Sequence, residues 1–332
     1  MSILACKRLI PGLALVGALT IVAQMIGEYV PLMGGAVAGI LLGLMLRSQF
    51  KISDAQLPGI QFAGKQLLQW SIVGLGLALP ISAVLETGLQ SLAVTLVTLS
   101  VAFTSAFVFG KWLKIPTKLC VLIGGGTAIC GGSAIAAMTP VVKPDDHETA
   151  FSLSTIFLFN IVAVLIFPPL GQWLGMSDTG FGLWAGTAIN DTSSVVAAAY
   201  SWSKAAGDHA TIVKLSRAML IIPVTLILSL IFMPRDRSAA GTPRLSIAHA
   251  VPWFIVWFLA ASLFNGYLPE VLTRTAHSIS TVMITAALTA IGLSTDLGQM
   301  KNTGWRPVLL GLQVWVMVAG SSLLMQYIGG HW

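Results

Sequence analysis

The sequence predicts an all-α polytopic membrane protein with about 10–11 transmembrane helices, some of them broken, and three observations carry that prediction. Of 332 residues, 56% are apolar and 9% charged, with mean hydropathy +0.87, where a soluble domain carries about 25% charged residues. Apolar stretches long enough to cross a bilayer, about 17–25 residues each, recur along the whole chain. The third observation is the run GGGTAICGGS at residues 124–133, which puts five glycines in nine positions of one such stretch. Each glycine weakens a helix by roughly 1 kcal/mol relative to alanine.

Eleven apolar segments are centred near residues 18, 39, 76, 100, 130, 160, 190, 221, 256, 284 and 317. The first follows Lys7 and Arg8 but lacks a small-x-small cleavage site, and Gln24 and Glu28 come directly after it. It reads as a retained helix. The longest polar interruptions, residues 47–65 and 234–247, are loops, and no soluble domain fits between segments. The fifth segment holds the glycine run. In a bilayer an opened backbone needs protein or a water-filled cavity around it, and secondary transporters place such breaks at their substrate sites. The seventh segment carries Asp191 at its middle, and the eighth carries Lys214 and Arg217. The whole of 1–332 reads as a single transmembrane transporter domain.

The net charge of +6 and pI near 9.4 follow from orientation and not from nucleic-acid binding. With the N-terminus cytoplasmic and eleven spans, thirteen of the eighteen basic residues fall on the cytoplasmic side: Lys7, Arg8, Arg47, Lys51, Lys65, Lys111, Lys114, Lys118, Arg235, Arg237, Arg244, Lys301 and Arg306. The opposite face collects Lys143, Lys204 and Arg274 with Glu28, Glu86, Asp145, Asp146, Glu148, Asp208 and Glu270. This is the positive-inside pattern, which predicts an N-in, C-out protein of the bacterial inner membrane.

The three cysteines, Cys6, Cys120 and Cys130, are odd in number and none falls in an outside loop, so reduced thiols are expected. The five histidines are scattered, so no zinc spacing arises. Residues 124–129 fail the dinucleotide fingerprint at its last glycine, and no G-K-[ST] follows. No cofactor, metal or enzymatic constellation is predicted.

Two internal repeats are visible. Residues 126–137 (GTAICGGSAIAA) echo residues 186–197 (GTAINDTSSVVA), each followed by a His-x-Thr at His147 and His209. Gly76-Leu77 with Thr87-Gly88 echoes Gly292-Leu293 with Thr303-Gly304. As continuous spans the two GTAI segments would run in the same direction; an inverted repeat would need a re-entrant hairpin.

An ionisable group at the depth of Asp191 is a functional candidate by default, and Asn190, Ser193 and Ser194 flank it. Lys214 and Arg217 share a helix face, with Arg217 roughly 13 Å along the helix from Asp208. Two cations beside broken-helix N-termini suit an anion; the competing reading is that Arg217 neutralises Asp191. Asp296 reads as an interfacial cap. The expected substrate-binding set is Gly125, Gly126, Thr127, Cys130, Gly131, Gly132, Ser133, Lys214 and Arg217. Asn190, Asp191, Ser193 and Ser194 are the expected coupling-ion or gating set. Helix packing is the competing role for the glycines.

The segment 126–137 resembles the signature of the YeiH-like sulfate exporter family of bacterial membrane proteins. Residues 181–198, 212–217 and the AIGLSTD run at 290–296 are similar to its further blocks. Relatives with His-Glu-Val differ here, where Asn190-Asp191-Thr192 keeps the acid and lacks the histidine. The resemblance implies a fold related to bile-acid symporters and sodium–proton antiporters, with a scaffold panel and a core of crossed, unwound helices.

The expected function is export of a small inorganic or organic anion, such as sulfate, by alternating access, with H⁺ or Na⁺ as coupling ion. The expected partners are that anion and the lipid bilayer, with a homo-oligomer allowed and no nucleic acid. The alternatives are a cation–proton antiporter using Asp191 and a non-transporting membrane scaffold or sensor.

Overall fold

A computed structural model of the protein describes residues 3–29, 34–232, 253–295 and 304–330, all helical or in short turns. The helices are α1 Ile3–Tyr29, α2 Gly34–Gln49, α3 Leu57–Phe62, a π-helical turn Ala63–Leu67, α4 Leu68–Ala78, α5 Ile81–Trp112, α6 Thr117–Ala128, α7 Gly132–Val142 and α8 Asp146–Trp173. They continue with α9 Asp178–Ala188, α10 Thr192–Trp202, α11 Lys204–Ala218, α12 Ile221–Ile231, α13 Trp253–Phe264, α14 Glu270–Ser294 and α15 Trp305–Gly329. Among the described residues, six stretches are long and apolar enough to cross a membrane: Arg8–Tyr29, Ile81–Trp112, Asp146–Trp173, Lys204–Ile231, Glu270–Ser294 and Trp305–Gly329.

Local sequence sets the helix starts. Pro80, Pro116 and Pro269 stand just before α5, α6 and α14 with extended ψ, a position where the missing N–H does no harm. Asp145 and Glu148 close a capping box on α8, and Ser177, Asp191 and Ser203 cap α9, α10 and α11.

The helices form two bodies. A panel packs α1 on α2, α14 on α2 and α4, and α13 on α4. The contact of α2 with α14 is close because Gly43 and Gly292 face it: a Cβ at Gly292 would lie 2.3 Å from the Ile40 carbonyl oxygen. A core packs α5 on α6 and α15, α8 on α6, α7 and α10, and α11 on α9 and α10.

Inside the core, the two GTAI segments do not span. Lys118 Nζ, in the first turn of α6, donates to the Lys143 carbonyl just past α7 at 2.6 Å. Gly125 and Gly126 face Met138 and Ile135 of α7. The helices α6 and α7 are therefore antiparallel halves of a re-entrant hairpin. The same holds for α9 and α10: Trp202 stacks on Phe181 at 4.3 Å and donates from Nε1 to Asp178. This corrects the expected eleven crossings, because two of the apolar segments enter and return. It also moves Lys143, Asp145, Asp146 and Glu148 to the end of the molecule that holds Lys111, Lys114 and Lys118. The 28 residues of α8 separate the hairpins, so they enter from opposite ends and are inverted.

The 126–137 and 186–197 match is structural throughout. Shifted by 60 residues, α7 (Gly132–Val142) coincides with α10 (Thr192–Trp202), and the end of α6 at Ala128 coincides with the end of α9 at Ala188. For the second repeat, α4 and α14 end at positions 78 and 294, an offset of 216. Beyond that point the match fails, with Gly88 inside α5, Gly304 capping α15 and Thr303 outside the described residues.

A charged crossover and a cavity at the hairpin tips

The glycine run does not open the helix where expected. Gly124–126 are helical residues of α6, and the break is confined to residues 129–131. Gly124 and Gly125 serve close packing: a Cβ at Gly125 would meet the Met138 side chain at 2.4 Å, and one at Gly124 would meet Ala106 at 2.8 Å. Gly131 has φ +68, a left-handed conformation that suits glycine, and its Cβ position lies 3.4 Å from Asp191 Cβ. There the two hairpin tips touch.

A helix ends with carbonyls that lack intrahelical donors and carry the negative end of its dipole. Those of α6 and α9 are satisfied by the two buried cations. Lys214 Nζ donates to Ile129 O and Ile189 O, each at 2.9 Å. The Arg217 guanidinium donates to Ala128 O, Thr127 O and Thr187 O. The acceptors obey the repeat: 127 and 187 on Arg217, 129 and 189 on Lys214. Trp315 Nε1 takes Ala188 O at 3.1 Å. Both cations are 0% exposed, so α11 joins the inverted hairpins at their tips.

This placement differs from the geometry expected of the pair. Among the described residues neither cation faces a cavity, and no ion pair joins Arg217 to Asp191. The Asp191 carboxylate instead accepts from the Ser193 N–H at 3.0 Å and from Ser193 Oγ, capping α10.

The N-terminal halves of the breaks face the other way, into a cavity of about 620 Å³ between core and panel. From the core come Gly132 and Ser133 at the start of α7, Asn160 of α8, and Asp191, Thr192, Ser193 and Ser194 at the start of α10. The panel contributes Lys65 and Gln69, from the π turn and the start of α4, among apolar residues such as Ile72, Phe254 and Ile291. No side chain caps α7, so the first N–H groups of that helix, whose residues Gly132 and Ser133 line the cavity, have no side-chain cap. Asn160 Oδ1 accepts the Asp191 N–H at 3.2 Å, while its buried Nδ2 has no partner.

Of the predicted residues, the cavity gathers Gly132, Ser133, Asp191, Ser193 and Ser194. The remainder stand behind it. Gly125 and Gly126 pack, Thr127 feeds Arg217, and Cys130 is 2% exposed and accepts from Ser133 Oγ at 2.9 Å. Asn190 is 1% exposed with both side-chain polar atoms unpaired. Asp296 lies outside the described residues. Sequence reasoning missed Asn160, Lys65 and Gln69. A lone amide in the apolar run 150–167 was the available signal for Asn160.

The profile of the family described as Conserved hypothetical protein 698 matches residues 11–311. The chain belongs to this family. It is 41% identical over 334 residues to a UPF0324 membrane protein of Streptococcus pyogenes serotype M3, covering 98% of each chain. Counterparts are a UPF0324 membrane protein of Streptococcus agalactiae serotype V, 39% identical with 98% and 99% covered, and one of Fusobacterium nucleatum, 37% identical with 96% and 98% covered. The likeness to YeiH-like proteins thus runs along the chain, and the protein is a membrane protein of this family.

Proposed function

We propose that the protein is a secondary transporter of a small anion, in which the core moves against the panel and carries the hairpin tips with it. The observation that supports this most is the pair of half-helix N-termini, those of α7 and α10, opening into one cavity at the seam of two bodies. Helix N-termini favour anions. Because Asp191 already caps α10, the anion belongs at α7, held by the first N–H groups of that helix, Ser133 and Asn160 Nδ2, with Lys65 across the seam. Asp191 with Ser193 and Ser194 forms the gating side of the cavity. Lys214 and Arg217 hold the tips together and do not touch substrate.

The inner-membrane, N-in reading gains from the hairpins. Returning Lys143 to the cytoplasmic side brings that side to fourteen of eighteen basic residues, thirteen plus one, although Asp145, Asp146 and Glu148 move with it.

The second reading is a cation–proton antiporter, favoured by one observation: the Asp191 carboxylate lines the cavity with no cation paired to it among the described residues. A thermal-shift screen of purified protein against sulfate, sulfite, small carboxylates, taurine, Na⁺ and K⁺ separates them. Stabilisation by an anion that is lost in Asn160→Leu supports the anion site. Stabilisation by Na⁺ or K⁺ alone, lost in Asp191→Asn, refutes it in favour of the antiporter.

A further inference from the structure

A second polar cluster lies at the far end of the panel–core seam. Asp208, in the second turn of α11, accepts from Tyr200 Oη of α10 at 2.6 Å and from Lys204 Nζ at 3.0 Å. Its Oδ1 also lies 3.2 Å from Nε2 of His277, which belongs to the panel helix α14. The side chains of Asp208 and His277 are 14% and 11% exposed, and that of Lys204 is 65% exposed. The Tyr200 and His277 rings stand 5.9 Å apart, and Tyr200 lies flat against Gly207, where a Cβ would meet the ring at 2.4 Å.

The cluster is remote from the cavity. Along α10, Tyr200 is about 12 Å from Thr192, and along α14, His277 is about 21 Å from Ile291, at 1.5 Å per residue. Beside it the seam is shut: a Cβ at Gly34 of α2 would lie 3.0 Å from Ser201 Cα of α10. The cavity is thus accessible near the end of α14, while the bodies are fastened near its start. Alternating access needs a contact of this kind, one that holds one face closed and releases it when the other shuts.

We propose that Asp208 and His277 form a proton-binding latch that closes this face. The ligand is H⁺, taken up on His277 Nδ1 because Nε2 faces Asp208. Protonation turns a hydrogen bond into an ion pair across the seam. The imidazole is the group whose ordinary titration falls between pH 5 and 8. The groups facing it are Tyr200 from α10 and Asp208 with Lys204 from α11. On α14 itself Arg274 and Glu270 are exposed and paired with each other. Of the panel helices packed on α14, α1 brings exposed Glu28 and Tyr29 to its end. Low pH on the latch face therefore holds the observed conformation, and deprotonation frees the core. The latch rests on the moving-core reading proposed above and supplies that carrier with a proton site separate from Asp191.

The test is labelling of Ser201→Cys, placed in the seam, by a membrane-impermeant maleimide in a Cys6→Ser background, where Cys120 and Cys130 are buried. His277→Gln, carrying the same reporter, records the reagent's own pH dependence. Between pH 5.5 and 8 the parent's labelling rate should rise about tenfold more than that of His277→Gln, the difference between a charged and a neutral hydrogen bond. Tyr200→Phe, which leaves both titrating groups in place, should label faster at every pH and keep the excess. Equal pH profiles in the parent and His277→Gln overturn the latch, as does Tyr200→Phe labelling at the parent's rate. No substrate is needed, so failure here leaves the anion site standing. Failure of anion binding leaves this readout intact.

Discussion

Replacing Arg217 by methionine tests whether the buried cations are structural or substrate-binding. The substitution keeps the volume and removes the donors to Thr127 O, Ala128 O and Thr187 O. A buried acceptor left without a donor costs about 1–3 kcal/mol, so three cost about 3–9 kcal/mol. Interhelical hydrogen bonds in membranes average about 0.6 kcal/mol, which sets a floor near 2 kcal/mol for three. Both bounds are large fractions of a stability of about 5–15 kcal/mol. At roughly 2–4 °C per kcal/mol, the unfolding midpoint in detergent without any added anion falls by at least about 4 °C. Lys214→Met orphans two carbonyls, Ile129 O and Ile189 O, and falls by less. Tryptophan fluorescence during a thermal ramp reads both. If Arg217→Met kept the parental midpoint and lost anion-induced stabilisation, the guanidinium would be a substrate ligand and the crossover argument would be refuted.

Cysteines introduced at Lys114 and Lys143 should both react with an impermeant reagent from one side of the membrane, and one at Lys204 from the other. Labelling of positions 114 and 143 from opposite sides would restore a spanning segment in place of the first hairpin. Gly131→Ala places a Cβ on a positive-φ residue 3.4 Å from Asp191 Cβ and should lower stability by about 1–3 kcal/mol, seen as a lower unfolding midpoint. Gly125→Ala should act by overpacking against Met138, so that a Met138→Ala partner restores much of the loss in a double-mutant cycle. Trp315→Phe leaves Ala188 O without its donor and should cost about 1 kcal/mol, visible in the same thermal ramp.

Much of the fold was legible in the sequence, because membrane helices are selected by hydropathy summed over a whole segment. The eleven apolar segments appear where composition put them, whereas the break is narrower than the glycine run suggested, and the second break, at Asp191, falls in a segment that read as a continuous span. What hydropathy cannot record is direction. A segment that crosses and a segment that returns bury the same apolar residues, so 117–142 reads as one span. Contacts such as Lys118 with Lys143, 25 residues apart, are needed to show that it turns back. The glycines misled for a related reason: inside α6 they let α5 and α7 approach, and the backbone between Gly124 and Ala128 stays helical because packing supplies what propensity withholds.

The role of the cations was open to a stricter reading of the repeat. Residues 126–129 and 186–189 share the letters GTAI, yet the two hairpins diverge at the next positions, Cys130-Gly131 against Asn190-Asp191. An unbroken run of identity that ends with the first half-helix marks a shared backbone task, and the task is to present two inverted sets of C-terminal carbonyls. One helix placed between them satisfies both sets only with donors one turn apart, and Lys214 and Arg217 are spaced by three residues, close to the 3.6 of a turn. The divergence begins where the chain passes from carbonyls to N–H groups, on the side that lines the cavity. There the hairpins differ in charge: the first offers Gly132 and Ser133 with an uncapped helix, and the second offers Asp191 over its own terminus. The inverted repeat thus supplies a symmetric lock on one side of the crossover and an asymmetric cavity on the other, and the proposed transport reading rests on that asymmetry.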